Sequence, residues 1–139
     1  MTFIPKKKKF KKEQKGKHFN RITKLNSLNN LPFGVVGLKA LESSRLTSKQ
    51  LYAFQFLMNK NLKKIGRLTL NVFPHTPISK KPIEIRMGKG KGNVDHWVAK
   101  INYGSLICQI ETRSTIFAIK GLKLAQLRLP FTTKIVYSN

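Results

Sequence analysis

Between residues 6 and 24 the chain carries ten basic side chains against the single acid Glu13, and its only large apolar residues there are Phe10, Phe19 and Ile22. A stretch of that composition cannot bury enough apolar surface to offset the entropy of ordering it, so it has no fold of its own. This confines the hydrophobic core to the residues from Leu31 onward. Residues 1–30 are expected to form a basic extended arm that orders only on its partner, with Phe10 and Phe19 as anchors. Residues 31–139 supply one domain's worth of chain, enough for a single core.

The imbalance extends along the whole sequence, with 28 Lys and Arg against five Asp and Glu and a formal net charge of +23. An ordinary solvated surface mixes the two signs, whereas this one repels itself unless a polyanion neutralises it. Nucleic acid is the leading partner. A membrane surface would favour a long amphipathic helix with a basic face, but the cations here cluster in extended and loop-like segments. No apolar run approaches the roughly 20 residues needed to span a bilayer. "MTFIPKKKKF" has no apolar signal core and lacks the Arg and Ser richness of a transit peptide, so the chain reads as made where it works or as already processed. The single Cys108 excludes an internal disulfide and, inside "LICQI", reads as a small core residue.

From Leu31 the texture changes. "LPFGVVGLKAL" reads as a first strand. In "TSKQ" the spacing of Thr47 and Gln50 is that of a capping box and marks a helix start. Leu51, Phe54, Leu57, Met58, Leu62 and Ile65 then recur at helical spacing, with Gly66 expected as the left-handed C-cap. "RLTLNVF" alternates as a half-buried strand. "PHTPISKKP" has three prolines and reads as a loop over 74–82, followed by a short strand "IEIRM". "NVDHWVAKIN" and "SLICQIE" read as strands turning at Gly104. Residues 114–129 predict a second helix presenting Ile116, Ile119, Leu122 and Leu127 and stopped by Pro130, and "FTTKIVY" is a last strand. Without a regular βαβ repeat the class is α+β: a two-layer sandwich of a mixed or antiparallel sheet with two helices, a basic N-terminal extension and a protruding glycine-rich loop over 74–93.

That loop, "RMGKGKGNVDHW", places Gly88, Gly90 and Gly92 among Arg86, Lys89 and Lys91, with Lys80 and Lys81 just before it. It lacks the GxxxxGK[ST] spacing of a P-loop, and Val94, Trp97 and Val98 after it read as strand rather than the helix a dinucleotide fold requires. Asp95 and His96 are adjacent, so a regular strand would point them to opposite faces rather than into one dyad. His75, His96 and Cys108 have no metal-ligand spacing. No catalytic constellation, metal site or cofactor is expected. Backbone amides and cations together suit the irregular phosphate surface of folded RNA.

"RMGKGKGNVDHWVA" also resembles the signature of the bacterial-type ribosomal protein L16 family of the large subunit. The likeness extends over nearly the whole chain through "PKKKKFKKEQKGK", "FGVVGLKALESSRLTSKQ", "NVFPHTPI" and "KLAQLRLP". The resemblance implies an α+β structural constituent of the large ribosomal subunit, held by large-subunit rRNA and neighbouring ribosomal proteins beside the aminoacyl-tRNA site, with no membrane partner. The expected rRNA-binding residues are Lys6, Lys7, Lys8, Lys9, Lys11, Lys12, Lys15, Lys17, Arg21, Lys24, Lys39, Arg45, Lys60, Lys63 and Lys64. The loop implied to approach tRNA near the peptidyl transferase centre comprises Lys80, Lys81, Arg86, Met87, Gly88, Lys89, Gly90, Lys91 and Gly92, with Arg86 at its tip.

Two segments depart from the family pattern. "HFNRITKLNSLNN" matches none of it, and "LESS" places Glu42 where a Gly-Arg pair is usual. Lys outnumbers Arg by 22 to 6, and the chain is rich in Ile, Asn and Phe, a composition consistent with an AT-rich genome. This resembles a mitochondrially encoded version, with bacterial cytoplasm or plastid as the alternative. A different class of function stays open, a free RNA-binding factor or tRNA-acting hydrolase visiting the ribosome; the hydrolase would be expected to show a Gly-Gly-Gln tip or a placed His-Asp pair, and the sequence offers neither.

Overall fold

A computed structural model describes residues 3–14, 31, 34–63 and 65–138. The element order is β1 (Val36–Ala40), β2 (Ser44–Thr47), α1 (Ser48–Leu62), β3 (Gly66–Leu70), β4 (Thr76–Lys80), β5 (Asn93–Ile101), β6 (Leu106–Thr112), α2 (Thr115–Gln126) and β7 (Thr133–Tyr137). The class is α+β, as expected, and every strand pairing is antiparallel. The strands divide between two sheets, one of four in the order β3-β6-β1-β7 and one of three in the order β2-β5-β4.

The capping box starts α1: the Gln50 amide donates to the Thr47 hydroxyl at 3.3 Å, and the Thr47 amide donates to the Gln50 side-chain oxygen at 3.0 Å. Leu51, Phe54, Met58 and Leu62 form its buried face. They join Val36, Leu38 and Ala40 of β1, Leu46 of β2, Ala99 and Ile101 of β5 and Ile107, Cys108 and Ile110 of β6 in one core. Helix α1 thus draws on both sheets. Cys108 is an inert part of this core, since burial pushes its thiol up to about 12.

Several local expectations give way to tertiary context. Helix α1 ends at Leu62, and Lys63, with φ of +40°, is its C-cap and donates its amide to the Asn59 carbonyl. Ile65 lies past the helix, and Gly66 opens β3 instead. There a Cβ would stand 2.6 Å from the Glu111 carbonyl oxygen, so close strand approach explains that glycine. Residues 74–82 are not a loop, because Thr76–Lys80 is a strand paired with β5. Pro77 is tolerated in it because β4 is an edge strand, where one side of the backbone needs no ladder partner. The protruding loop is therefore 81–92, and Lys80 closes the strand before it. "IEIRM" is not a strand; Ile83 is 97% and Met87 99% exposed, with no neighbouring strand to pair.

In α2 the buried face is Ala118, Gly121, Leu122 and Ala125, while Ile116 and Leu127 are exposed and Ile119 is half-buried. Small residues let this helix lie close to α1: a Cβ on Gly121 would sit 3.2 Å from that of Asn61. Of the expected stripe Leu122 is fully buried and Ile119 partly so, whereas the ends at Ile116 and Leu127 give way to small residues that make the close contact.

Candidate nucleic-acid interface

The loop over 81–92 leaves the edge strand β4 and returns through β5, the central strand of the smaller sheet. Its conformation depends on glycine in two ways. Gly88 and Gly90 have φ of +99° and +83°, with open space where a Cβ would stand, and Lys89 between them has φ of +51°. Gly92 has no such angle, but a Cβ there would lie 2.5 Å from the Lys80 carbonyl oxygen, where the loop closes on its own base. Gly92→Ala is therefore expected to cost about 1–3 kcal/mol of stability, the range for overpacking against backbone. Gly88→Ala and Gly90→Ala should strain the tip by about 1–2 kcal/mol each without a clash, shifting the loop before the domain. Thermal denaturation of the three variants checks the difference.

The loop's cations divide into two groups. Lys81 donates to the Gly88 carbonyl across the loop, and Lys91 donates to the Glu13 carbonyl of the arm. Arg86 and Lys89 are exposed at the tip. Around the hollow between the two loop ends, Lys80, Lys81, Pro82 and Ile83 face Asn93, Val94 and Asp95.

Residues 3–14 have no helix or strand, as expected of an arm, yet they already lie on the domain. Phe3 meets Phe73 edge-on, with centroids 6.4 Å apart, and packs against the core. Phe10 is exposed, so Phe3 rather than Phe10 is the arm's ring against the core, while Phe19 lies outside the described residues. Lys8 stands 5.3 Å over the Trp97 ring, donates to the His75 carbonyl at 2.7 Å and pairs with Glu13 at 2.5 Å. Lys12 donates to the Lys91 carbonyl at 2.9 Å. Residues 3–14 thus rest on carbonyls and aromatic rings of the domain.

The Lys8 hydrogen bond holds the Glu13 carboxyl below its ordinary value of 4.5, opposed by desolvation and aided by the charges of Lys8, Lys100 and His75. A carboxylate with a lowered folded value stabilises the docked arm fully above its unfolded value and ceases to do so as pH falls through the folded one. Trp97 is the chain's single tryptophan and reports on Lys8. Its emission is expected to change in a transition below pH 4.5 that Glu13→Gln removes.

Asp95 and His96 correct a further expectation, since their side chains meet at 2.9 Å. The register passes from Ile78 opposite His96 to Ser79 opposite Val94, so Asp95 is the extra residue of a β-bulge, and a bulge re-aims side chains that regular alternation would separate. The hydrogen bond from His96 lowers the Asp95 carboxyl. Both side chains are substantially exposed, and among the described residues no group of three or more His, Cys, Asp or Glu could hold a metal ion.

Of the other expected contact residues, Lys6, Lys7, Lys9, Lys11, Lys60 and Lys63 are exposed, and Lys39 and Arg45 are half-buried. Lys15, Lys17, Arg21, Lys24 and Lys64 lie outside the described residues, as does the divergent segment 18–30. Strand pairing adds cations that sequence reasoning missed: Lys39 lies directly opposite Lys134, and Arg45 directly opposite Lys100. Residues 95 and 55 positions apart give no local signal of such pairing. Glu42 and Ser43, the departure in "LESS", make internal bonds instead: Glu42 accepts from the Thr132 hydroxyl at 2.7 Å and Ser43 from the Tyr103 amide at 2.9 Å.

Charge, edge-strand loop and bulged strand together define a small basic α+β protein with its cations on the surface and no assembled catalytic centre among the described residues. The family model for ribosomal protein L16p/L10e matches residues 5–136, and the chain belongs to that family. Large ribosomal subunit protein uL16 of Wigglesworthia glossinidia brevipalpis is 46% identical over 132 residues, covering 95% of this chain and 94% of the relative. The family is structural rather than enzymatic.

Proposed function

We propose that the chain is a structural constituent of the large ribosomal subunit that binds large-subunit rRNA through its arm and basic surface. In this reading it presents the 81–92 loop toward tRNA at the aminoacyl site, near the peptidyl transferase centre, with neighbouring ribosomal proteins as its other partners. Family membership and the likeness to a large-subunit protein support the ribosomal assignment. The observation that carries the finer reading is the loop itself: Arg86 and Lys89 stand exposed on a backbone held by Gly88 and Gly90, while Lys81 braces the loop internally on the Gly88 carbonyl and Lys91 ties its base to the arm. Cations on a glycine turn can approach a phosphate surface that a bulkier chain could not reach.

Sedimentation tests the assignment, because a constitutive subunit protein stays with the large particle through a high-salt wash and a visiting factor is released. For the isolated protein on its rRNA, affinity is expected to fall steeply with salt, with a logarithmic slope of about −0.7 to −0.9 per phosphate neutralised. A slope near zero would sink the electrostatic mode. The excess of Lys over Arg and the Ile, Asn and Phe content support a mitochondrial ribosome as the location, with bacterial cytoplasm or plastid as the alternative. Co-sedimentation with ribosomes from fractionated organelles decides between them.

A further inference from the structure

The exposed side of α1 carries a pattern that neither the loop nor the arm accounts for. Lys49, Tyr52, Phe56 and Lys60 fall within an arc of about 80° on the helix, at 100° per residue, and Lys63 stands just beyond them at the C-cap. All five are exposed, Tyr52 by 47% and Phe56 by 60%. Single exposed apolar residues are ordinary, but two aromatic rings on one stripe, bracketed by cations on a helix with no acidic residue, form a patterned surface. Core packing does not explain it, because the buried face of α1 is Leu51, Phe54, Met58 and Leu62.

We infer that this stripe is a nucleobase-stacking site, in which an unpaired stretch of RNA lays a base on or between Tyr52 and Phe56 while Lys49, Lys60 and Lys63 hold the flanking phosphates. The inference rests on the RNA-binding reading above and assigns it a second mode of contact. Four residues along a helix separate the roots of the two rings by about 6 Å. A base sandwiched between rings needs about 7 Å, twice the carbon contact distance of roughly 3.5 Å, which small side-chain rotations supply. Charge complementarity selects RNA as the occupant: every charged residue of the stripe is a lysine. Proteins that read single-stranded RNA combine aromatic platforms with cationic tracks in this way. Lys49 also lies within electrostatic reach of Asp95, at the exit of the glycine loop, so the stripe begins beside the surface already described.

The test compares two probes on the full-length protein: an oligoadenylate and an abasic ribose-phosphate chain of the same length, each titrated over a range of salt. Tyr52→Leu with Phe56→Leu keeps apolar bulk and removes the π faces, and thermal melting verifies that the fold is retained. The Leu pair is expected to weaken oligoadenylate binding about 10- to 100-fold, with affinity for the abasic chain and the salt slope unchanged. Tyr52→Trp with Phe56→Trp should bind oligoadenylate at least as tightly as the parent. Unchanged oligoadenylate binding by the Leu pair overturns the inference while leaving RNA binding intact, and so does an equal loss on both probes. Loss of a neighbouring protein from the large particle with RNA binding unaffected would assign the face to that protein instead. Failure of the parent to bind either probe would remove the RNA-binding reading and the inference with it.

Discussion

Replacing Arg86 and Lys89 together by Ala is expected to leave occupancy of the large subunit nearly unchanged while lowering tRNA affinity at the aminoacyl site about 10- to 100-fold, the worth of one or two charge-assisted hydrogen bonds. Two cations among 28 add little to total attachment. At the tip of an exposed loop, however, they and Lys81, whose ammonium sits on the Gly88 carbonyl, supply the charge within a Debye length, about 8 Å at physiological salt, of the tRNA phosphates, and of the three only Arg86 and Lys89 have no bond within the loop to lose. Lys91 is left in place because it donates to the Glu13 carbonyl, so removing it would disturb the arm as well. Occupancy by mass spectrometry and tRNA retention are to be measured on the same washed particles. Lost occupancy with normal tRNA affinity in the particles that remain loaded would show the loop to be an anchor, and the division of labour between loop and surface would be wrong.

Phe54→Ala is expected to destabilise the domain by about 3–5 kcal/mol, a large part of the total stability of a chain this size. Phe54 is fully buried where α1 meets the core shared by both sheets, and removing its ring leaves a cavity that the sheets cannot follow inward. Two positions on, Phe56→Ala faces solvent and should change stability by less than about 0.5 kcal/mol. Denaturant unfolding of the two variants measures the contrast. A comparable loss at Phe56 would mean that the outer face of α1 is covered in the free protein.

Much of the candidate site was legible residue by residue. The glycine and lysine spacing marked the loop between β4 and β5, and the capping box at Thr47 marked the start of α1, because each depends on chemistry within a few positions of chain. The misplaced features share a cause. Pro77 argues against a strand until its edge position is known, and Gly66 argues for a helix cap until β6 is seen beside it. Asp95 and His96 look separated until the register shift opposite Ile78 and Ser79 brings them together.

The sequence by itself determined the α+β class and the excess of positive charge, since these depend on composition and local periodicity. Only the tertiary structure decided which of those charges meet. It set Lys39 against Lys134 and Arg45 against Lys100 by strand register, and it turned Lys8, Lys12, Lys81 and Lys91 toward backbone carbonyls of the protein itself. Arg86 and Lys89 remained exposed at the tip of the loop. Charge is a property of each side chain, but its partner is fixed by strand register and by contacts between segments as many as 79 residues apart, and no local pattern encodes them.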